Sequence, residues 1–339
     1  MKQDPGDIFV DKRFEAEYVR HPLVLADVGA RGGLKRNWSA AERHLRVLGF
    51  EPDEREYRRL VETAKGREDS RVFFHAALHN RPGPISLRIA QDRGLSSIFE
   101  PNRAFLDGFP EAERFNTTDV REVQADTLDN LLESHGLTDI DFIKADTQGS
   151  ELFVLEGAAR ALGALAVGAE VEVEFTPIYR NQPLFADVDT YMRGLGYFLF
   201  DLRPCYWKRE AGRDAGGPYG QIIWADALYL KAIPALQTAL GMLPADARKS
   251  KVLRAISVAL LYGYYDYAIA IARDAGGVFS LDERQTIERR LGARQAKGGP
   301  LGSFPGRRRL AAVLRRLWKT TRARNEGWSV SDAGIGNLD

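Results

Sequence analysis

Cysteine is almost absent from this chain. Cys205 is the only one among 339 residues, so no internal disulfide framework holds the fold. Histidine is scarce as well, with five in all. His75 and His79 flank a strand end instead of lying along a helix, and no Cys or His cluster has metal-ligand spacing, so no metal is expected. His75 reads as a packed core histidine, with contact to the adenine side of the site as the alternative. Neither sign of charge dominates: 48 Lys and Arg face 47 Asp and Glu, a net charge of +1. Such a balance gives no global field that favours nucleic acid or an acidic substrate. The uncharged run Ala255–Tyr265 is too short to cross a bilayer. The opening M-K-Q-D-P-G-D lacks the apolar core of a secretory signal. There is no G-x-S-x-G elbow for a hydrolase and no G-K-[ST] for a P-loop. This composition agrees with a soluble cytoplasmic enzyme, and the chain is long enough for two domains.

Two short segments near the start carry the strongest positive signal. L-V-L-A-D-V-G-A-R-G-G (Leu23–Gly33) is an apolar strand running into a glycine-rich turn, and L-R-V-L-G-F-E-P (Leu45–Pro52) is a second strand ending in Glu51. Gly29 and Glu51 lie 22 residues apart, close to the roughly 20 that separate turn and ribose-binding acid in a βαβ nucleoside site. A carboxylate there accepts both hydrogen bonds of a ribose diol. A dinucleotide site needs glycine where Arg31 stands, so that fingerprint is broken. S-adenosylmethionine has no phosphate. It requires a ribose acceptor, room for its methionine end and a partner for its ammonium, and Asp27, Gly29, Gly33 and Glu51 match those needs. The bland alternative, an ordinary βα turn followed by an acidic loop, stays open on these segments alone.

Farther along, strands are expected at 23–28, 46–51, 72–77, 140–146, 168–175, 197–202 and 221–230. Helices are expected at 35–44, 53–65, 127–135, 150–163 and 187–195. This alternation predicts a parallel sheet covered on both faces. Residues 81–126 read as an insertion placed to cover the carboxyl ends of the sheet. From Ile233 the pattern turns helical, over 247–275 and 281–297, with the aromatic cluster Tyr262, Tyr264, Tyr265 and Tyr267 read as packing. A helix at 307–324 and a disordered polar tail follow. The boundaries so drawn are 1–232, 233–300 and 301–339.

The segment I-D-F-I-K-A-D-T-Q-G-S-E-L-F-V-L-E-G-A, from Ile140, resembles the central block of the FkbM-type methyltransferases. The D-x-G-A turn at Asp27, the F-E-P at Phe50 and Y-R-N-Q-P-L-F from Tyr179 resemble that family too, and the likeness spans roughly 23–202. Arg31 and Gly32 depart from its usual Asn and aliphatic residue. The resemblance implies a doubly wound, Rossmann-like class I methyltransferase sheet with a C-terminal helical extension. It also implies S-adenosyl-L-methionine as cofactor, held by Asp27, Gly29, Ala30, Arg31, Gly33, Glu51, Pro52, Ala76 and Asp146. The implied acceptor is a hydroxyl on a sugar, a glycan or a secondary metabolite. A second reading keeps the fold as a non-catalytic scaffold.

An alcohol acceptor must lose its proton as the new bond forms, which a placed carboxylate assists. Asp146 is the leading candidate because it sits at the carboxyl end of a central strand, where open α/β sheets bind ligands; capping the helix that follows is its competing role. Glu174 and Tyr179 flank the next strand end. Alternation puts Glu170, Glu172 and Glu174 on one face, which is costly unless that face meets a polar cleft or partners. Ser96 and Ser97 are candidates for contact with acceptor or cofactor. In 307–324, Leu310, Val313, Leu314, Leu317 and Trp318 form one stripe among basic residues. That pattern suits an anionic membrane surface, at the inner face of the membrane, or a partner's acidic groove. Docking onto the chain's own helices is the competing expectation.

Overall fold

The computed structural model describes residues 6–9, 11–137, 139–214, 220–275, 277–295, 304–321, 327–331 and 335. Its strands, in chain order, are β1 (Leu23–Val28), β2 (Leu45–Phe50), β3 (Arg71–Phe74), β4 (Ala77–Leu78), β5 (Gly83–Ala90), β6 (Thr117–Asp126), β7 (Phe142–Ala145), β8 (Gly168–Glu174), β9 (Tyr197–Trp207), β10 (Gln221–Lys231) and β11 (Ser329–Ser331). Eight of them form one sheet in the order β11-β9-β10-β8-β7-β1-β2-β3. From β3 to β8 all neighbours are parallel, whereas β10 runs antiparallel between β8 and β9. The chain winds outward from β1 to β3 and then resumes on the other side at β7. The switch point where ligands bind in open sheets therefore lies between β1 and β7.

All six residues of β1 are buried, as a parallel strand covered on both faces requires. On one face Val24, Ala26, Val28, Ile143 and Val171 pack against Leu128 and Leu132, Val154 and Leu155, and Val188 and Met192. Those three pairs come from helices Leu128–Ser134, Glu151–Glu156 and Phe185–Gly194. On the other face Leu25, Phe142, Leu228 and Leu230 share a core with helices Ala245–Leu261 and Tyr265–Asp274. The region after Ile233 thus covers one side of the sheet. A buried ion cluster fixes it there. Lys251, wholly buried, donates to Asp139 and Asp141 at 2.6 Å each, and Arg254 donates to Asp141 at 3.1 Å.

Several expected elements differ in detail. The helix at 35–44 is a 3-10 helix, Arg36–His44, with no side-chain cap at Lys35, and it inserts Trp38 into the core. The helix at 150–163 breaks into Glu151–Glu156 and Ala159–Gly163. At the break a Cβ on Gly157 would lie 2.2 Å from the carbonyl oxygen of His79. The strand at 72–77 stops at Phe74, and Ala77–Leu78 pairs with β6 in a second sheet of order β4-β6-β5. The stretch 247–275 is two helices with Gly263 left-handed (φ 78°) between them. β6 was not anticipated because most of its side chains are exposed and it carries no apolar stripe. Part of the tail expected to be disordered is placed: β11 pairs with β9, and Trp328 packs edge-on against Trp207 at 5.6 Å.

Candidate active site

A cleft open to solvent lies over the carboxyl ends of β1, β2 and β7. Its apolar lining comes from Ala76, Ala77, Leu78, Ile85, Leu87 and Ile98. Its polar lining includes Arg31, Glu51, Asp53, Arg93, Asp146 and Gln148. That mixture of apolar and polar lining suits a nucleoside ligand.

Glu51, at the tip of β2, accepts the Asp53 backbone N–H at 2.9 Å. Burial pushes its carboxyl up to about 7, with that N–H and the Arg31 guanidinium pulling the other way. Asp53 ties three segments together. It caps helix Glu54–Thr63 through the Arg55 N–H (3.1 Å), and it accepts from Arg31 at 3.3 Å and from Arg93 at 2.9 and 2.7 Å. Arg93 belongs to the insertion, so this carboxylate holds the insertion beside the turn after β1. Burial works against its charge, but Arg93 and the Arg55 N–H keep its carboxyl below the usual range.

Asp146 follows β7, with its N–H donating to Val28 O at 3.1 Å. The approach of these two loops dictates Gly29: its φ is +71°, and a Cβ there would lie 1.9 Å from the Asp146 carbonyl oxygen. The Asp146 side chain is 35% exposed and lies 3.5 Å from Lys144 Nζ, which is 3.4 Å from Asp27. Although burial opposes its charge, Lys144 is held protonated by Asp27, Asp146 and Glu170. Gln148 is the hub of the polar region. Its Nε2 donates to Asp146 (3.1 Å) and Glu172 (2.6 Å), and its Oε1 accepts from the Tyr179 hydroxyl (3.3 Å). Its backbone oxygen accepts from Ser97 Oγ at 2.7 Å. Gln148 is left-handed (φ 57°), a conformation that costs a non-glycine residue about 1 kcal/mol or more.

Acids crowd this edge of the sheet. Burial, then neighbouring carboxylates, pushes Glu172 and Glu174 well above the usual range. Burial likewise pushes Glu151 up to about 7, although it accepts the N–H groups of Thr147 (2.6 Å) and Gly149 (2.9 Å). Glu170 is paired with Lys35 and accepts from the Tyr262 hydroxyl at 2.8 Å. The alternation of Glu170, Glu172 and Glu174 therefore meets polar partners, Lys35 and Tyr262 at Glu170 and Gln148 at Glu172.

Of the residues anticipated from sequence, Gly29, Arg31, Glu51, Pro52, Ala76 and Asp146 line the cleft. Asp27, Ala30 and Gly33 do not. They border a smaller cavity beneath the turn, with Leu60 and Arg71, because Lys144 holds Asp27 under the loop and Ala30 points into the core. Glu174 and Tyr179 are also buried away from the lining. The Tyr179 hydroxyl donates to Leu95 O at 2.9 Å and so clamps the insertion. Ser96 reaches the cleft, whereas Ser97 is buried on Gln148. His75 is exposed and stacked on Tyr57 at 5.1 Å, not a core residue, since β3 ends before it. Asp53, Arg93, Lys144 and Gln148 were missed. A lysine inside the apolar strand I-D-F-I-K-A was the one available signal. Among the described residues no group of His, Cys, Asp or Glu is placed to hold a metal.

A sheet of this order with an antiparallel strand, β10, between β8 and β9, a cleft at its switch point and a carboxylate at the tip of β2 defines a class I, S-adenosylmethionine-dependent methyltransferase fold. The chain belongs to the FkbM methyltransferase family. The profile of the methyltransferase FkbM domain matches residues 27–199, just over half of it. S-adenosylmethionine is the cofactor. Among solved structures, methyltransferase FkbM from Methylobacillus flagellatus KT is similar at 15% identity and a TM-score of 0.35. That match covers 62% of this chain, which spans only 43% of the other's length. The magnesium protoporphyrin IX methyltransferase of Synechocystis PCC 6803, with bound SAM, is 9% identical (TM-score 0.30; 67% and 80% covered). The N-terminal domain of EvdMO1, in the presence of SAH and D-fucose, is 11% identical (TM-score 0.32; 68% and 83% covered). These likenesses are too low to bear on substrate. No curated protein matches the chain in sequence.

Proposed function

We propose that this protein transfers a methyl group to a hydroxyl oxygen of a sugar, glycan or similarly hydroxylated metabolite. The observation that carries this reading is the half-open Asp146 carboxylate at the cleft, oriented by Lys144 and Gln148. Bound S-adenosylmethionine supplies an electrophilic methyl group. The apolar side chains from Ala76 to Ile98 suit its adenine, and Glu51 suits its ribose diol. Asp146 accepts the proton of the acceptor hydroxyl. The Asp146 carboxylate at the cleft accepts a hydrogen bond from a polyol and repels an acceptor bearing phosphate or carboxylate. Alignment supplies most of the rate in such a displacement, which is why a side chain orienting Asp146 from a strained backbone position matters.

The test is a screen with methyl-labelled cofactor against free sugars, glycan fractions and small polyols, with mass identification of the labelled product. Label on oxygen is expected. Asp146→Asn should lower turnover by about 10²-fold or more with little change in S-adenosylhomocysteine affinity. Label found on nitrogen or carbon, or near-normal turnover in Asp146→Asn, contradicts the reading.

A further inference from the structure

The aliphatic side chains of the apolar stripe on helix Arg307–Thr321 are about half exposed. Leu310, Val313, Leu314 and Leu317 are 44–55% exposed, and Trp318 is 57% exposed. At 100° per residue these side chains share one side of the helix, while Arg308, Arg309, Arg315 and Arg316 project from the other. The segment has six basic residues and no acid. Phe304, just ahead of it, is exposed too.

The helix is tethered to a particular edge of the sheet. β9 runs in the same direction as β8, since both are antiparallel to β10. Trp207, at its carboxyl end, therefore lies on the edge that carries the cleft. β11 pairs there, Ser329 opposite Trp207, and the Lys208 N–H donates to Trp328 O at 2.8 Å. Six Cα–Cα steps separate Thr321 from Gly327, a reach of about 23 Å at most.

We infer that helix Arg307–Thr321 docks in the plane of an anionic lipid surface and so turns the cleft edge of the enzyme toward that surface. The apolar stripe enters the acyl boundary, with Trp318 near the headgroups, and the arginines meet lipid phosphates. A polar face of one sign suits a diffuse anionic surface better than a protein groove, where acids would pair with individual arginines. The docking stands whatever acceptor is methylated.

Vesicle flotation of the full chain tests it. The protein should float with phosphatidylcholine vesicles containing phosphatidylglycerol at low salt, and not with phosphatidylcholine alone. Two variants, Leu314→Ser with Leu317→Ser and Arg315→Glu with Arg316→Glu, should each lower partitioning at least about tenfold. Both should bind S-adenosylhomocysteine as the wild type does, which shows that they are folded. Failure of the full chain to float overturns the inference. So does undiminished flotation of the leucine variant, which would reduce the contact to charge alone, or binding to an acidic protein in the absence of vesicle binding.

Discussion

Glu51 carries two demands that pull in opposite directions. Burial favours its protonated form, and a ribose diol favours the anion. With its carboxyl pushed up to about 7 from an ordinary 4.5, the folded state binds a proton that the unfolded chain has released. Its contribution to stability is therefore full below about 4.5 and is lost as pH rises through 7. Cofactor affinity should move the other way, because the ligand selects the ionised form. Measured by calorimetry, S-adenosylhomocysteine affinity should rise about tenfold between pH 6 and pH 8 relative to the Glu51→Gln variant at the same pH. Parallel pH profiles in the two proteins would show that Glu51 does not titrate at the ligand. From sequence, Glu51 was placed by its spacing from Gly29, a local feature. Arg93 and Asp53 were not, because their meeting depends on how an insertion 40 residues away folds back.

At the scale of elements, sequence gave reliable strands wherever an apolar run was buried on both faces, as in β1, β2 and β8. It failed where neighbours decided the outcome. The 150–163 helix breaks because Gly157 passes against the His79 backbone, and β6 is held by β4 and β5 and has no pattern of its own. The helical region after Ile233 was recognised as helical, but its attachment was not, since Asp139, Asp141, Lys251 and Arg254 are far apart in the chain. Removing one member of a buried ion cluster strands the others. Lys251→Met should lower the unfolding free energy in urea by about 3 kcal/mol, the low end of the range because Arg254 still faces Asp141 at 3.1 Å. An unchanged urea midpoint would mean that the cluster does not hold these helices to the sheet.

Over the whole molecule, two clusters of one sign stand out in a near-neutral chain: acids along the carboxyl edge of the sheet, and arginines on the helix Arg307–Thr321. Among the described residues no helix is long and apolar enough to cross a membrane. In the proposed function the acid-rich edge takes the hydroxylated acceptor and the cleft beside it takes the cofactor, and Trp328, a few residues beyond the arginine-rich helix in the chain, is held at the same edge. The cofactor cleft is the common element of these relations. Titration calorimetry with S-adenosylhomocysteine tests it most directly. The wild type should bind, and Glu51→Ala, losing charge-assisted hydrogen bonds worth about 1.5–3 kcal/mol each, should bind at least tenfold more weakly with an unchanged circular dichroism spectrum. Equal affinity in the two proteins would contradict the account and move the cofactor out of this cleft.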